Sequence, residues 1–152
     1  MIKHLRYFLS PFILLVSIFA VLKGNYYPIL FIIIFDILIA LGDSFLKQDD
    51  TSFENPVPIL LNSSLYINLP LLYLLLSLVL FVLVDHNPQW YISLWNYIGI
   101  DIIDVRSNIT FADMCALLLY STPLFISTMG TNVGHELTHR KREKFDMFIG
   151  NW

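Results

Sequence analysis

Two histidines four residues apart are the first residues in this chain whose types and spacing suggest chemistry. His135 and His139 lie in the run Gly134-His135-Glu136-Leu137-Thr138-His139-Arg140. On a helix, residues i and i+4 project from one face about one turn apart, so both ring nitrogens can reach a single metal ion. Glu136 sits one step round the helix, placed to serve the site as a catalytic carboxylate. Thr131 and Asn132 lie one turn earlier, where they can orient an imidazole or order a bound water. Gly130 and Gly134 form a small-xxx-small pair, which lets another helix approach just before the ligands. An HxxxH pair on an ordinary soluble helix is more often surface or core than ligand. Here it falls at the end of an apolar run, where ionisable groups are costly and usually functional. The HExxH pattern is also the zinc-protease signature, and two imidazoles do not by themselves choose between zinc and iron.

A second place for chemistry is Asp36, in the middle of another apolar run, with Asp43 seven residues on and on the same helical face. A carboxylate at mid-bilayer depth must face protein and find a partner. One reading makes the two a carboxylate stripe that lines a substrate channel or supports the metal. The other makes Asp36 a helix–helix tie to Asn, Ser or Tyr of a neighbour. Asp113 reads as a helix-start carboxylate favoured by the dipole. His4 and His86 read as headgroup contacts, His86 on the far side of the membrane from the pair.

The elements that must position these groups follow from composition. Hydrophobic residues make up 57% of the 152 positions, charged residues 14%, and the mean hydropathy is +0.67. A soluble domain has about 25% charged residues, so this chain has too little polar surface to cover a globule. One cysteine, Cys115, excludes a disulfide framework and a CxxC site. A net charge of -3, with no basic stripe, gives no ground for nucleic-acid binding.

A span needs about 20 apolar residues. Four stretches are expected to cross the membrane, over residues 5–22, 26–45, 66–84 and 111–133, the last continuing as helix through the histidine motif over 134–144. No stretch alternates with period two, so the fold class is all-α: one integral membrane helical bundle over residues 1–152. The first span is expected to be retained and not cleaved as a signal, because Val21-Leu22-Lys23 is no small-residue cleavage site and the second span follows within a few residues. Lys23-Gly24-Asn25 reads as the turn of a helical hairpin. Residues 48–64 read as a polar loop, and 85–110 as a longer connection whose Trp90, Tyr91, Trp95 and Tyr97 favour the headgroup layer. With the N-terminus inside, seven Lys and Arg fall on the cytoplasmic side, against Lys23 and Arg106 outside. That bias places both termini in the cytoplasm.

The run Asn132-Val133-Gly134-His135-Glu136-Leu137-Thr138-His139-Arg140-Lys141 resembles the first histidine box of the membrane alkane hydroxylases and xylene monooxygenases. The continuation through Phe145 to Trp152 resembles that family's next helix. Asp36, Gly42-Asp43 and Asn55-Pro56 resemble its acidic segment after the second span. The resemblance implies a bacterial inner-membrane enzyme with two non-haem irons, which hydroxylates a terminal methyl of an alkane or alkyl-aromatic with O2. It further implies electrons from a rubredoxin or ferredoxin-type donor and its reductase. His135 and His139 would then be iron ligands and Glu136 a supporting residue. The family's later boxes have no counterpart among the four histidines here. The chain is therefore expected to be the opening part of a larger, six-helix-type bundle and not catalytic alone. Alternatives are a fatty acid desaturase or hydroxylase, an intramembrane zinc protease with Glu136 activating water, and a non-enzymatic assembly subunit.

Overall fold

The computed structural model describes residues 8–45, 58–139 and 144–150, with the side chains of 58–61 and 149–150 left aside. All regular structure there is helical. The elements are α1 (Leu9–Lys23), α2 (Tyr27–Phe45), α3 (Pro58–Leu83), α4 (Gln89–Tyr97), α5 (Ile102–Ser107), α6 (Phe111–His139) and α7 (Lys144–Gly150). Three stretches are long and apolar enough to cross a membrane: Tyr27–Phe45, Asn62–Leu83 and Phe111–His139.

That is one fewer than expected. The helix in the region of the first expected span holds 15 residues, a length of about 22 Å against roughly 30 Å of hydrocarbon. The residues expected to extend it, 5–7, lie outside the described residues. At its other end Gly24, Asn25 and Tyr26 all take positive φ, at 61°, 49° and 67°. A helix cannot continue through three such residues, and the chain reverses into α2 as the predicted hairpin turn. A second difference concerns the polar segment 48–64. Pro58 opens α3, so residues 58–64 are helical. Proline is well suited to a first helical position, where its missing N–H leaves nothing unsatisfied. Within α3, Pro70 removes one backbone donor from the interior.

α3 is the central helix. Of its apolar window 44% is buried, against 22% for α6 and 11% for α2. Leu72, Leu75, Leu78, Val79 and Val82 meet Leu14, Ile18 and Val21 of α1, and Leu117, Phe125 and Met129 of α6, in one core. Phe31 and Phe35 of α2 close on Phe125, with ring centroids 6.3 and 6.4 Å apart. Beyond Ile32 no side chain of α2 is buried, so the second half of that helix stands clear of the bundle. Large apolar side chains such as Leu38, Leu80 and Leu119 are more than half exposed. A helical surface of this kind suits lipid.

One end of the bundle is built by the connection after α3. It folds into the two short helices α4 and α5, where Tyr91, Ile92 and Trp95 join the core and Trp90 and Tyr97 point outward. Arg106, expected only as an outside charge, caps α3 instead. Its guanidinium donates to the carbonyls of Phe81 and His86 and to Asn87 Oδ1, and lies 3.8 Å over the Phe81 ring. Phe81 O is one of the carbonyls that a helix C-terminus leaves without partners, and His86 and Asn87 belong to the segment that follows it. The histidine motif lies at the opposite end of α6, beside the start of α3 and the short α7.

Candidate metal-ligand pair

α6 starts at a capping box. Thr110 accepts from the Asp113 N–H, and the Asp113 side chain accepts from the Thr110 N–H and hydroxyl. Asp113 does more than its sequence position predicts. It is fully buried, and its two oxygens also accept from Tyr26 N of the α1–α2 turn and Ile29 N of the first turn of α2, at 3.0 and 3.3 Å. Asn25 N bonds Asn108 O at 2.7 Å beside it. One carboxylate therefore holds the start of α6 against the start of α2, and so fixes where the long helix begins.

From there α6 is not uniform. Two π-turns interrupt it, at Leu117–Ser121 and Ile126–Thr131. Pro123 follows the first; its ring displaces a carbonyl of the preceding turn, a known cause of ladder shifts. After the second π-turn the helix carries four lanes of side chains at a spacing of four. Met129, Val133 and Leu137 are buried; Gly130, Gly134 and Thr138 are half-buried; Thr131, His135 and His139 are exposed; Asn132 and Glu136 are exposed one step further round.

His135 and His139 meet as their spacing predicts. Their Nε2 atoms are 2.9 Å apart and the rings are edge to face, centroids 4.3 Å apart. With metal–imidazole bonds of about 2.0–2.1 Å, nitrogens this close subtend roughly 90° at a shared ion. A tetrahedral ion would set them roughly 3.3 Å apart, only a few tenths of an ångström wider, so the pair suits either geometry. The same distance is that of an N–H···N bond between the rings, which a bound ion would replace. The donor set stops at two: among the described residues no group of three or more His, Cys, Asp or Glu could hold a metal ion. The pair fits part of one shell, and these residues do not complete it.

His135 opens on a cavity of about 490 Å³ between α3 and α6. Leu69, Leu72, Leu76 and Ile126 form its apolar wall, Tyr73 borders it, and Thr131 and Thr138 add hydroxyls beside the imidazole. The predicted close approach at Gly130 is present: a Cβ there would lie 2.9 Å from Leu72 Cδ2. Gly130→Val should therefore destabilise the protein by about 1–3 kcal/mol through overpacking. A thermal melt of the detergent-solubilised protein reads this directly, with Gly130→Ala losing less.

The other predicted residues fall differently. The Thr131 hydroxyl donates to Ile126 O at 3.2 Å, not to an imidazole. Asn132 shares the lane of Glu136 and does not line the cavity. Asp36 lies away from the pair and accepts a hydrogen bond from Tyr120 OH of α6, so it ties two helices together. Asp43 is exposed near the end of α2, and neither carboxylate lines the cavity. His86 is exposed at the far end, on the Arg106 cap; His4 lies outside the described residues. Beyond the histidines, Lys144–Gly150 is helical as expected. There Asp146, buried and not anticipated, accepts from Tyr66 OH of α3, and Phe145 packs edge-on to Tyr66. A carboxylate in a short amphipathic segment gives no sequence signal that it will be buried.

No protein-family model, curated protein or solved structure matches the chain.

Proposed function

We propose that this chain supplies the first histidine pair of an iron-dependent membrane monooxygenase of the alkane-hydroxylase kind. The observation that carries the reading is the pair itself: two imidazole nitrogens 2.9 Å apart, on an exposed lane of a membrane-length helix, beside an apolar cavity. In this reading the remaining ligands come from polypeptide other than the described residues. In the same reading a fourth span lies in the region of α1 and both termini lie on the cytoplasmic side.

Iron held there would supply O2 activation for hydroxylation of a methyl group, with electrons from a rubredoxin or ferredoxin-type partner. The chain's own residues do the positioning. The wall of Leu69, Leu72, Leu76 and Ile126 takes an alkyl chain and keeps water from it. Thr131 and Thr138 mark the polar end, beside His135. Holding a methyl group within a few ångströms of the metal is the largest service such a site provides. Glu136, one lane round, supports the ligands or carries a proton.

The test is metal content and methyl hydroxylation in membranes expressing the protein with its electron donor. Iron bound in proportion to protein, with a terminal alcohol formed from an alkane or alkyl-aromatic, is the expected result. Zinc at the site with peptide cleavage would establish the HExxH protease instead.

A further inference from the structure

Buried positions along α6 recur at a strict interval of four: Asp113, Leu117, Ser121, Phe125, Met129, Val133 and Leu137. An α-helix turns about 100° per residue, so each four-residue step overshoots a full turn by about 40°. Repeated from Asp113 to Leu137, that drift would carry the stripe roughly 240° around the helix, out of the core. The stripe stays buried because the two π-turns wind more slowly. Each is closed by i→i+5 bonds and holds roughly one more residue than an α-turn.

The second π-turn lies directly before the histidines. If it closed to an α-turn without losing a residue, everything after it would advance by about 100°. His135 would move into the lane now held by Glu136, away from the cavity. Asn132 and Glu136 would enter the core lane of Val133 and Leu137. We propose that the π-turn Ile126–Thr131 aims His135 at the cavity, and that Thr131 is a positioning residue whose hydroxyl holds this turn open.

Three observations support the assignment. Thr131 Oγ1 donates to the carbonyl five residues back, Ile126 O, which is the π spacing. Ser127 and Thr128 both donate their hydroxyls to Leu124 O, so side chains serve backbone carbonyls where the helix ladder changes. Gly130 is pressed on Leu72, where a Cβ would lie 2.9 Å from Cδ2 and the leucine would have to shift. Helical hydroxyls that bond a preceding carbonyl are known to bend or distort the helix.

The test uses the full chain in detergent micelles and reads orientation without a metal. In a Cys115→Ser background, Tyr73→Cys is paired with His135→Cys or with Glu136→Cys, and a short bismaleimide reports which residue faces the cavity. Cross-linking is expected from position 135 and not from 136. Adding Thr131→Val, which keeps the shape and removes the donor, should shift the cross-link away from 135; Thr131→Ser should leave it unchanged. Deleting Thr128 alongside Thr131→Val removes the extra residue of the turn and should restore the parent pattern. With both histidines present, Co(II) titration of the parent tests the pair as ligands, and Thr131→Val, which turns both imidazoles together, should leave that two-imidazole affinity unchanged.

An unchanged cross-link pattern in Thr131→Val, or no restoration by the deletion, would overturn the aiming role. The metal measurement rests on the reading of the pair as ligands. A parent protein that binds no Co(II) would sink that reading, while the cross-links still decide this one.

Discussion

Replacing Asp113 with alanine should be among the most damaging single changes in this protein, lowering its stability by about 3 kcal/mol or more. Four donors converge on that carboxylate: the N–H groups of Tyr26, Ile29 and Thr110 and the Thr110 hydroxyl. Loss of a helix cap alone costs about 0.5–2 kcal/mol. Each buried donor left without a partner adds about 1–3 kcal/mol, less whatever water recovers. The turn it serves is also strained, since Tyr26 is a bulky residue at a φ of 67°, a region non-glycine residues seldom occupy. Asp113 holds that turn in place, so its removal frees the α1–α2 hairpin from the start of α6. Asp113→Asn keeps the shape and some of the acceptors and should lose roughly half as much. Unfolding in mixed micelles at increasing SDS fraction measures the difference. If Asp113→Ala melts like the parent, the hairpin is held by core packing alone.

The second large effect concerns metal. Replacing either His135 or His139 with alanine leaves one imidazole where two stood within 2.9 Å. A single side chain cannot chelate, and the bound metal should fall to background. The fold should be unaffected, because both residues are exposed and neither belongs to the core. Substitution at exposed positions of this kind normally changes stability by less than about 0.5 kcal/mol. On the proposed function, Glu136→Gln separates the roles: metal should remain while methyl hydroxylation falls. Metal analysis of purified protein, alongside a melting curve, decides the matter. Equal metal in the parent and in His135→Ala would show that the pair is not a ligand set.

The two predictions differ in how they could have been found. The histidine pair was legible directly, because i,i+4 geometry is local and depends only on helix formation. Asp113 was legible as a helix start, yet its larger role was not. The hydrogen bonds from Tyr26 and Ile29 span 87 and 84 residues, and nothing in the sequence marks those backbone donors. Asp36 lies between these cases. Its mid-span position required a partner, and a tyrosine of a neighbouring helix was one of the options. That the partner is Tyr120 follows only from the packing of α2 on α6.

By itself, then, the sequence determined an all-helical chain with membrane-length apolar runs, the turn at Gly24, and two histidines on one helical face. These depend on composition, on residues a few positions apart, and on backbone geometry common to all helices. Tertiary structure decided how Arg106 and Asp113 lock the far end, and which lane of α6 faces the cavity. The last point has the clearest cause. A buried stripe with an interval of four is incompatible with 3.6 residues per turn. The helix could follow it only by opening two π-turns against α2 and α3, and the direction of His135 and His139 depends on them.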